Sequence, residues 1–214
     1  MYFIFYFLVL IFSVILHEIA HGYVAKALGD PTAKLAGRLT LNPLPHIDPV
    51  GSVMLPFLMW MAQGFSPTPI LIGYAKPVPI NLYNLQGKYA EALTAFAGPG
   101  ANILIALIFG LAVRALIPAG AVQIPPLAGA FATIALLNML LALFNLIPIP
   151  PMDGSRVLAG ILPGALGRGY ERFRHAFERL GVLTCTLIIL LVFYLFAPYF
   201  YSVLGYVINI LTGL

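Results

Sequence analysis

Four long apolar runs limit what this chain can fold into: Tyr2 to about Leu28, Glu91 to Ile117, Leu127 to Ile147, and Leu180 to Leu214. A helix rises ~1.5 Å per residue, so about 20 residues cross a hydrocarbon core of ~30 Å, and each run reaches that length. Within such a core every backbone N–H and C=O needs an internal partner, which restricts spanning structure to helices and closed barrels. Composition points the same way. Of the 214 residues 61% are hydrophobic and 8% charged, against about 25% charged in soluble domains. The expected fold is an all-α polytopic membrane protein with about five to six membrane segments, residues 1–214 forming a single domain. The last run is too long for one span, and Pro198 is expected to divide it into two helices. The first run lacks a charged n-region and a small-residue cleavage site, so it reads as a retained helix. A net charge of +4 comes without a basic patch interleaved with aromatics, which excludes nucleic acid as a partner. The lone Cys185 gives no disulfide framework and reads as a small core or lipid-facing residue.

The stretch between the first two spans is irregular. In Thr32 to Leu41, Ala33, Leu35, Gly37, Leu39 and Leu41 alternate with Lys34, Ala36, Arg38 and Thr40, a period of two that predicts a short half-buried strand. Pro43, Pro45 and Pro49 make Leu41 to Gly51 a shaped loop. Ser52 to Ala62 is apolar but too short to span, which predicts a re-entrant or interfacial segment. Gln63 to Asn81 reads as extended, with a second strand candidate at Ile70 to Tyr74. Pro77 and Pro79 there leave one strand edge without donors. Farther on, the third span breaks at Pro148-Ile149-Pro150-Pro151-Met152-Asp153-Gly154.

Charge placement orients the spans. Ten of the eleven basic residues fall in three clusters, at Lys26 to Arg38, at Lys76 and Lys88, and at Arg156 to Arg179. The positive-inside rule puts all three on the cytoplasmic side and the amino terminus outside. In the last cluster Phe173, Phe177 and Leu180 share one helical face opposite Arg172, Arg174 and Arg179, the pattern of an interfacial helix.

The chemistry begins at the end of the first span, with His17-Glu18-Ile19-Ala20-His21. Residues four apart stack on one helical face, so both imidazoles can hold one metal ion with Glu18 beside it. Zn²⁺ suits imidazole and acidifies a bound water, whose proton an adjacent carboxylate can take. The alternative is a helix end wetted at the headgroups. A third ligand has candidates in Asp30, His46, Asp48, Glu91, Asp153 and His175. Asp153 stands out because it follows a proline-broken helix end, and irregular backbone at membrane depth belongs beside a protein cavity.

The His17-Glu18-x-x-His21 motif, the Gly98-Pro99-Gly100-Ala101-Asn102 stretch, and Asn145-Leu146-Ile147-Pro148-Ile149-Pro150-Pro151-Met152-Asp153-Gly154 together resemble the site-2 protease family of intramembrane zinc metalloproteases. The resemblance covers roughly residues 10 to 160. Leu41 to Gly51 and Gly73 to Asn81 look like a compact prokaryotic branch without PDZ or CBS domains. The resemblance implies one Zn²⁺ held by His17, His21 and Asp153, with Glu18 as general base. It implies a substrate-binding role for Asn145, whose alternative is an amide bonded to helix backbone. His46 is expected to line the entrance or support a ligand, its alternative being Asp-Pro turn chemistry in that loop. The implied activity is endopeptidase cleavage of transmembrane segments of substrate proteins, in regulated intramembrane proteolysis. The implied setting is a prokaryotic cell membrane with the active site toward the cytoplasm. The catalytic core would occupy about 1–160 and C-terminal helices about 171–214. The same ligands would also serve a membrane zinc transporter or metal-binding membrane protein, the rival reading.

Overall fold

A computed structural model describes residues 2–64, 75–117 and 123–213. Among these all the regular structure is helical, without a strand. Four helices are long and apolar enough to cross a membrane, at Ile4–Ala27, Ala90–Leu116, Pro126–Asn145 and Leu187–Thr212, and Pro49–Ala62 is a shorter apolar segment. This is the polytopic helical architecture expected of an integral membrane protein. The chain divides into two compact units, Met1–Gly87 and Lys88–Leu214.

The first unit is built on α1 (Tyr2–Ala27). Gly29, at φ 105°, turns the chain, and Asp30 follows, fully buried. The Asp30 carboxylate accepts from the Thr32 N–H at 3.1 Å, the Thr32 hydroxyl, the Asn81 N–H at 2.7 Å and the Asn84 Nδ2 at 2.9 Å. It therefore ties the end of α1 to a segment about fifty residues later, and is more than the helix-end charge its position suggests.

Thr32 to Leu41 corrects the sequence reading. Instead of a strand it opens with one helical turn, α2 (Thr32–Leu35). Asp30 supplies the start. Gly37, at φ 67°, supplies the stop, with Gly37 N–H bonded to Lys34 O and Arg38 N–H to Ala33 O, the paired bonds of a Schellman cap. Burial ignores the alternation: Leu35 is 80% exposed and Arg38 is buried. Capping bonds here outweigh a pattern made by small and basic residues.

Leu41 to Asp48 is the shaped loop expected, with a 3₁₀ turn at Leu44–His46, whereas Pro49 to Gly51 already belong to the helical segment that follows. Asp48 caps the next segment, its Oδ1 accepting from Val50 N–H at 3.0 Å and Gly51 N–H at 2.7 Å. That segment starts as a π-helical turn (Pro49–Met54) and continues as α3 (Leu55–Ala62). The strand candidate Ile70 to Tyr74 lies outside the described residues. Ala75 to Asn81 carries no regular structure.

The second unit packs α4 (Ala90–Leu116), α5 (Pro126–Asn145) and α8 (Val182–Thr212) around Ala106, Met139, Leu204 and Leu211. A Cβ on Gly110 would sit 2.9 Å from that of Leu211, so α4 and α8 approach closely only because Gly110 has none. Asn102 and Asn138, both fully buried, join α4 to α5 through a 2.8 Å amide–amide bond. Such bonds between membrane helices contribute about 0.6–2 kcal/mol.

Two expectations for this unit are overturned. Pro198 does not divide the last run; α8 continues through it for 31 residues. Proline is tolerated inside membrane helices where local adjustment of the backbone re-satisfies the carbonyl it frees. The break at Pro148 instead leads into two short helices, α6 (Asp153–Ile161) and α7 (Gly164–Glu178). On α7 the inward face carries Phe177 together with Arg174, while Phe173 is exposed, so Arg174 does not share the outer face with Arg172 and Arg179. Glu91, at the start of α4, turns it inward, with Arg174 Nη1 3.5 Å from Glu91 and 3.0 Å from Glu171. Cys185 is a buried free thiol 3.0 Å from the Phe177 carbonyl, as a core residue.

Asp30 makes a testable claim on stability. Burial pushes its carboxyl up, but hydrogen bonds from Thr32, Asn84 and Asn81 outweigh this and hold the pKa at about 2. A carboxylate held that far below its ordinary value contributes about 2 kcal/mol at neutral pH. That contribution is complete above about pH 4 and is lost as pH falls toward 2. Thermal unfolding in detergent should show Asp30→Asn less stable than wild type at pH 7, with the gap closing between pH 4 and 2. A constant gap across that range would contradict this account.

Candidate metal centre

His17 and His21 lie in α1, one helical turn apart. Both are buried, at 6% and 7% exposure, and their rings meet edge to face with centroids 4.7 Å apart. The two Nε2 atoms are 3.1 Å apart. Two imidazoles on one tetrahedral zinc, at Zn–N of about 2.0–2.1 Å, place their nitrogens about 3.3 Å apart. The pair therefore fits a shared ion, and the donor type suits zinc.

Glu18 is held by backbone. Its Oε2 accepts the Val78 N–H at 2.8 Å. Gly22 allows Val78 near: a Cβ there would lie 2.5 Å from Leu39 Cδ2, 3.0 Å from Val78 Cγ1 and 3.1 Å from Ala33 Cβ. The residue after the motif must thus be small for this segment to pack on α1.

His46 is fully buried. Its Nε2 lies 3.0 Å from the Thr40 carbonyl, and its own carbonyl accepts the Lys76 N–H at 2.9 Å. With Leu10, Val14, Ser52, Pro56 and Ala75 it lines an apolar cleft. Val14 lies one turn before Glu18, so the cleft follows the face of α1 that carries the acid.

Asp153 is the first residue of α6, in the second unit. Its backbone is fixed on both sides. Ser155 bonds the Met152 carbonyl through its hydroxyl at 2.7 Å and its N–H at 3.1 Å. Gly154 lies against Leu146 and Ile147, whose carbonyl oxygens a Cβ would overlap. The Tyr170 hydroxyl donates to Pro148 O at 2.8 Å, and burial pushes that phenol above its ordinary pKa, so it remains a donor. Asn145 Nδ2 donates to Leu141 O at 2.9 Å, the backbone-bonded arrangement that was the alternative to a substrate contact.

Sequence reasoning singled out the two histidines that the structure pairs. It missed Val78, whose backbone N–H holds Glu18. The only trace of Val78 was its place between two prolines.

A family model described as Peptidase family M50 matches residues 115–188. YwhC of Bacillus subtilis, provisionally named a zinc metalloprotease, is 36% identical over 165 residues, covering 72% of this chain and 67% of YwhC. Rip2 of Mycolicibacterium smegmatis, named in the same provisional way, is 32% identical over 143 residues, 66% of this chain and 51% of Rip2. Zinc metalloprotease MJ0392 of Methanocaldococcus jannaschii is 29% identical over 161 residues, 75% of this chain and 35% of that protein. The chain thus spans about half the length of Rip2 and a third of MJ0392. No solved structure matches it significantly. With buried, paired histidines on an apolar helix and this similarity to YwhC, the chain belongs to peptidase family M50, the site-2 protease family.

Proposed function

We propose that this protein is an intramembrane zinc endopeptidase that cleaves transmembrane segments of other membrane proteins, in regulated intramembrane proteolysis. The observation that carries the reading is the pair of buried Nε2 atoms 3.1 Å apart, with the intervening acid tethered by a backbone N–H. In this reading His17, His21 and Asp153 hold one zinc ion, and both units form one catalytic domain. Zinc, when bound, acidifies water and polarises a carbonyl. Glu18 takes the proton as the peptide carbonyl is attacked, then returns it to the leaving amine. A helical substrate must unwind first, because its carbonyls are engaged in its own hydrogen bonds. The cleft lined by His46 is the entrance we assign to the unwound segment. Asn145, with one amide hydrogen on Leu141, retains an oxygen for contact with substrate backbone. The positive-inside rule puts the amino terminus outside a prokaryotic cell membrane and the active site toward the cytoplasm.

Zinc stoichiometry of the purified protein tests the ligand set. Wild type should hold one ion per chain, and His17→Ala and Asp153→Ala should each lose most of it. Full zinc in Asp153→Ala would remove Asp153 from the set. Zinc flux through liposomes that persists in Glu18→Gln would replace the protease reading with a transporter.

A further inference from the structure

Arg38 is buried, and among the described residues it meets no carboxylate. Its Nη2 donates instead to two backbone carbonyls, Lys76 O at 2.5 Å and Pro77 O at 3.3 Å, while its buried Nε has no partner among the described residues. A buried guanidinium is costly to keep without a counter-ion. What it holds therefore matters. The Pro77 carbonyl and the Val78 N–H are the two ends of one peptide group, and that N–H is the donor to Glu18 Oε2. One peptide plane thus bridges Arg38 to Glu18. Because Pro77 and Pro79 flank Val78, no neighbouring residue in the strap can supply that N–H instead.

We infer that Arg38 is a positioning residue for Glu18, acting through the Pro77–Val78 peptide. This rests on reading Glu18 as the general base. A cationic donor on the carbonyl polarises the amide and strengthens its N–H as a donor. It also fixes the strap, which the His46 carbonyl anchors one residue earlier through the Lys76 N–H. Glu18 is then pinned through Oε2, and Oε1 is the oxygen assigned to the proton. The geometry is directional, so a lysine, with one compact ammonium, does not reproduce it.

The test uses the full chain in proteoliposomes with a cleavable transmembrane peptide. Arg38→Lys and Arg38→Met should lower kcat about 10- to 100-fold, leaving KM within about twofold and zinc content unchanged. A parallel loss of zinc, or a change confined to KM, would overturn the positioning role. Valine-selective ¹⁵N NMR in detergent supplies a readout independent of activity. The Val78 amide proton, shifted downfield by its carboxylate acceptor, should move upfield in Glu18→Gln and in both Arg38 variants. An unmoved resonance in the Arg38 variants would break the proposed linkage. If those variants do not fold, replacing Val78 by its α-hydroxy acid removes the N–H alone, and unchanged kcat there would overturn the proposal. Wild-type cleavage by Glu18→Gln would instead refute the base reading while leaving the NMR linkage to stand or fall separately.

Discussion

Glu18→Gln is expected to lower kcat by about 10²- to 10⁴-fold, the usual contribution of a positioned general base, while zinc stays at one ion per chain. The substitution is close to isosteric. The Gln oxygen can still accept the Val78 N–H that Glu18 Oε2 accepts at 2.8 Å, so the strap from Ala75 to Asn81 should remain on α1. The amide, however, cannot take a proton. Cleavage of a reconstituted transmembrane substrate, measured beside metal content, checks both halves of the claim. Wild-type turnover in a zinc-loaded Glu18→Gln protein would remove Glu18 from the chemistry. The same variant offers a route to the substrate, since a membrane-protein fragment present with wild type and lost with Glu18→Gln marks the protein that is cut.

Gly154→Ala is expected to weaken zinc affinity by at least 10- to 100-fold, the scale of losing a group that orients a ligand. The added Cβ would overlap the Leu146 and Ile147 carbonyls. Backbone carbonyls cannot swing aside as a long side chain can, so the Pro148 to Ser155 turn must shift and carry Asp153 with it. Gly129→Ala is the control, because a Cβ there meets none of the described residues within 4 Å and α5 continues on both sides. Chelator competition should separate the two variants clearly. Wild-type affinity in a folded Gly154→Ala protein would show that Asp153 either moves freely or does not bind the ion.

Much of this protein is legible from its residues because the membrane leaves few options. Apolar runs of this length must become helices, and α1, α4 and α5 begin and end within a few residues of the runs that predict them. The histidine pair is equally legible, since spacing of four on a helix is enough to bring two rings together. Failures came where local patterns met competing bonds. At Thr32 to Leu41 a period of two gave way to a cap built from Asp30 and Gly37. On α7 an arginine placed among polar residues turned inward because Glu91, some eighty residues earlier, attracts it. At Pro198 a residue that ends helices in water was accommodated within a longer one.

The sequence by itself determined a helical membrane protein and put two imidazoles and a carboxylate on one turn of its first span, because both follow from periodicities that act within a few residues. Only the tertiary structure decided what holds that carboxylate. Arg38, Val78 and Glu18 are separated by twenty to sixty residues, and they are linked through a backbone carbonyl, which every residue carries, and a backbone N–H, which every residue but proline carries. No side-chain pattern records such a linkage; it exists only once the strap is folded onto α1.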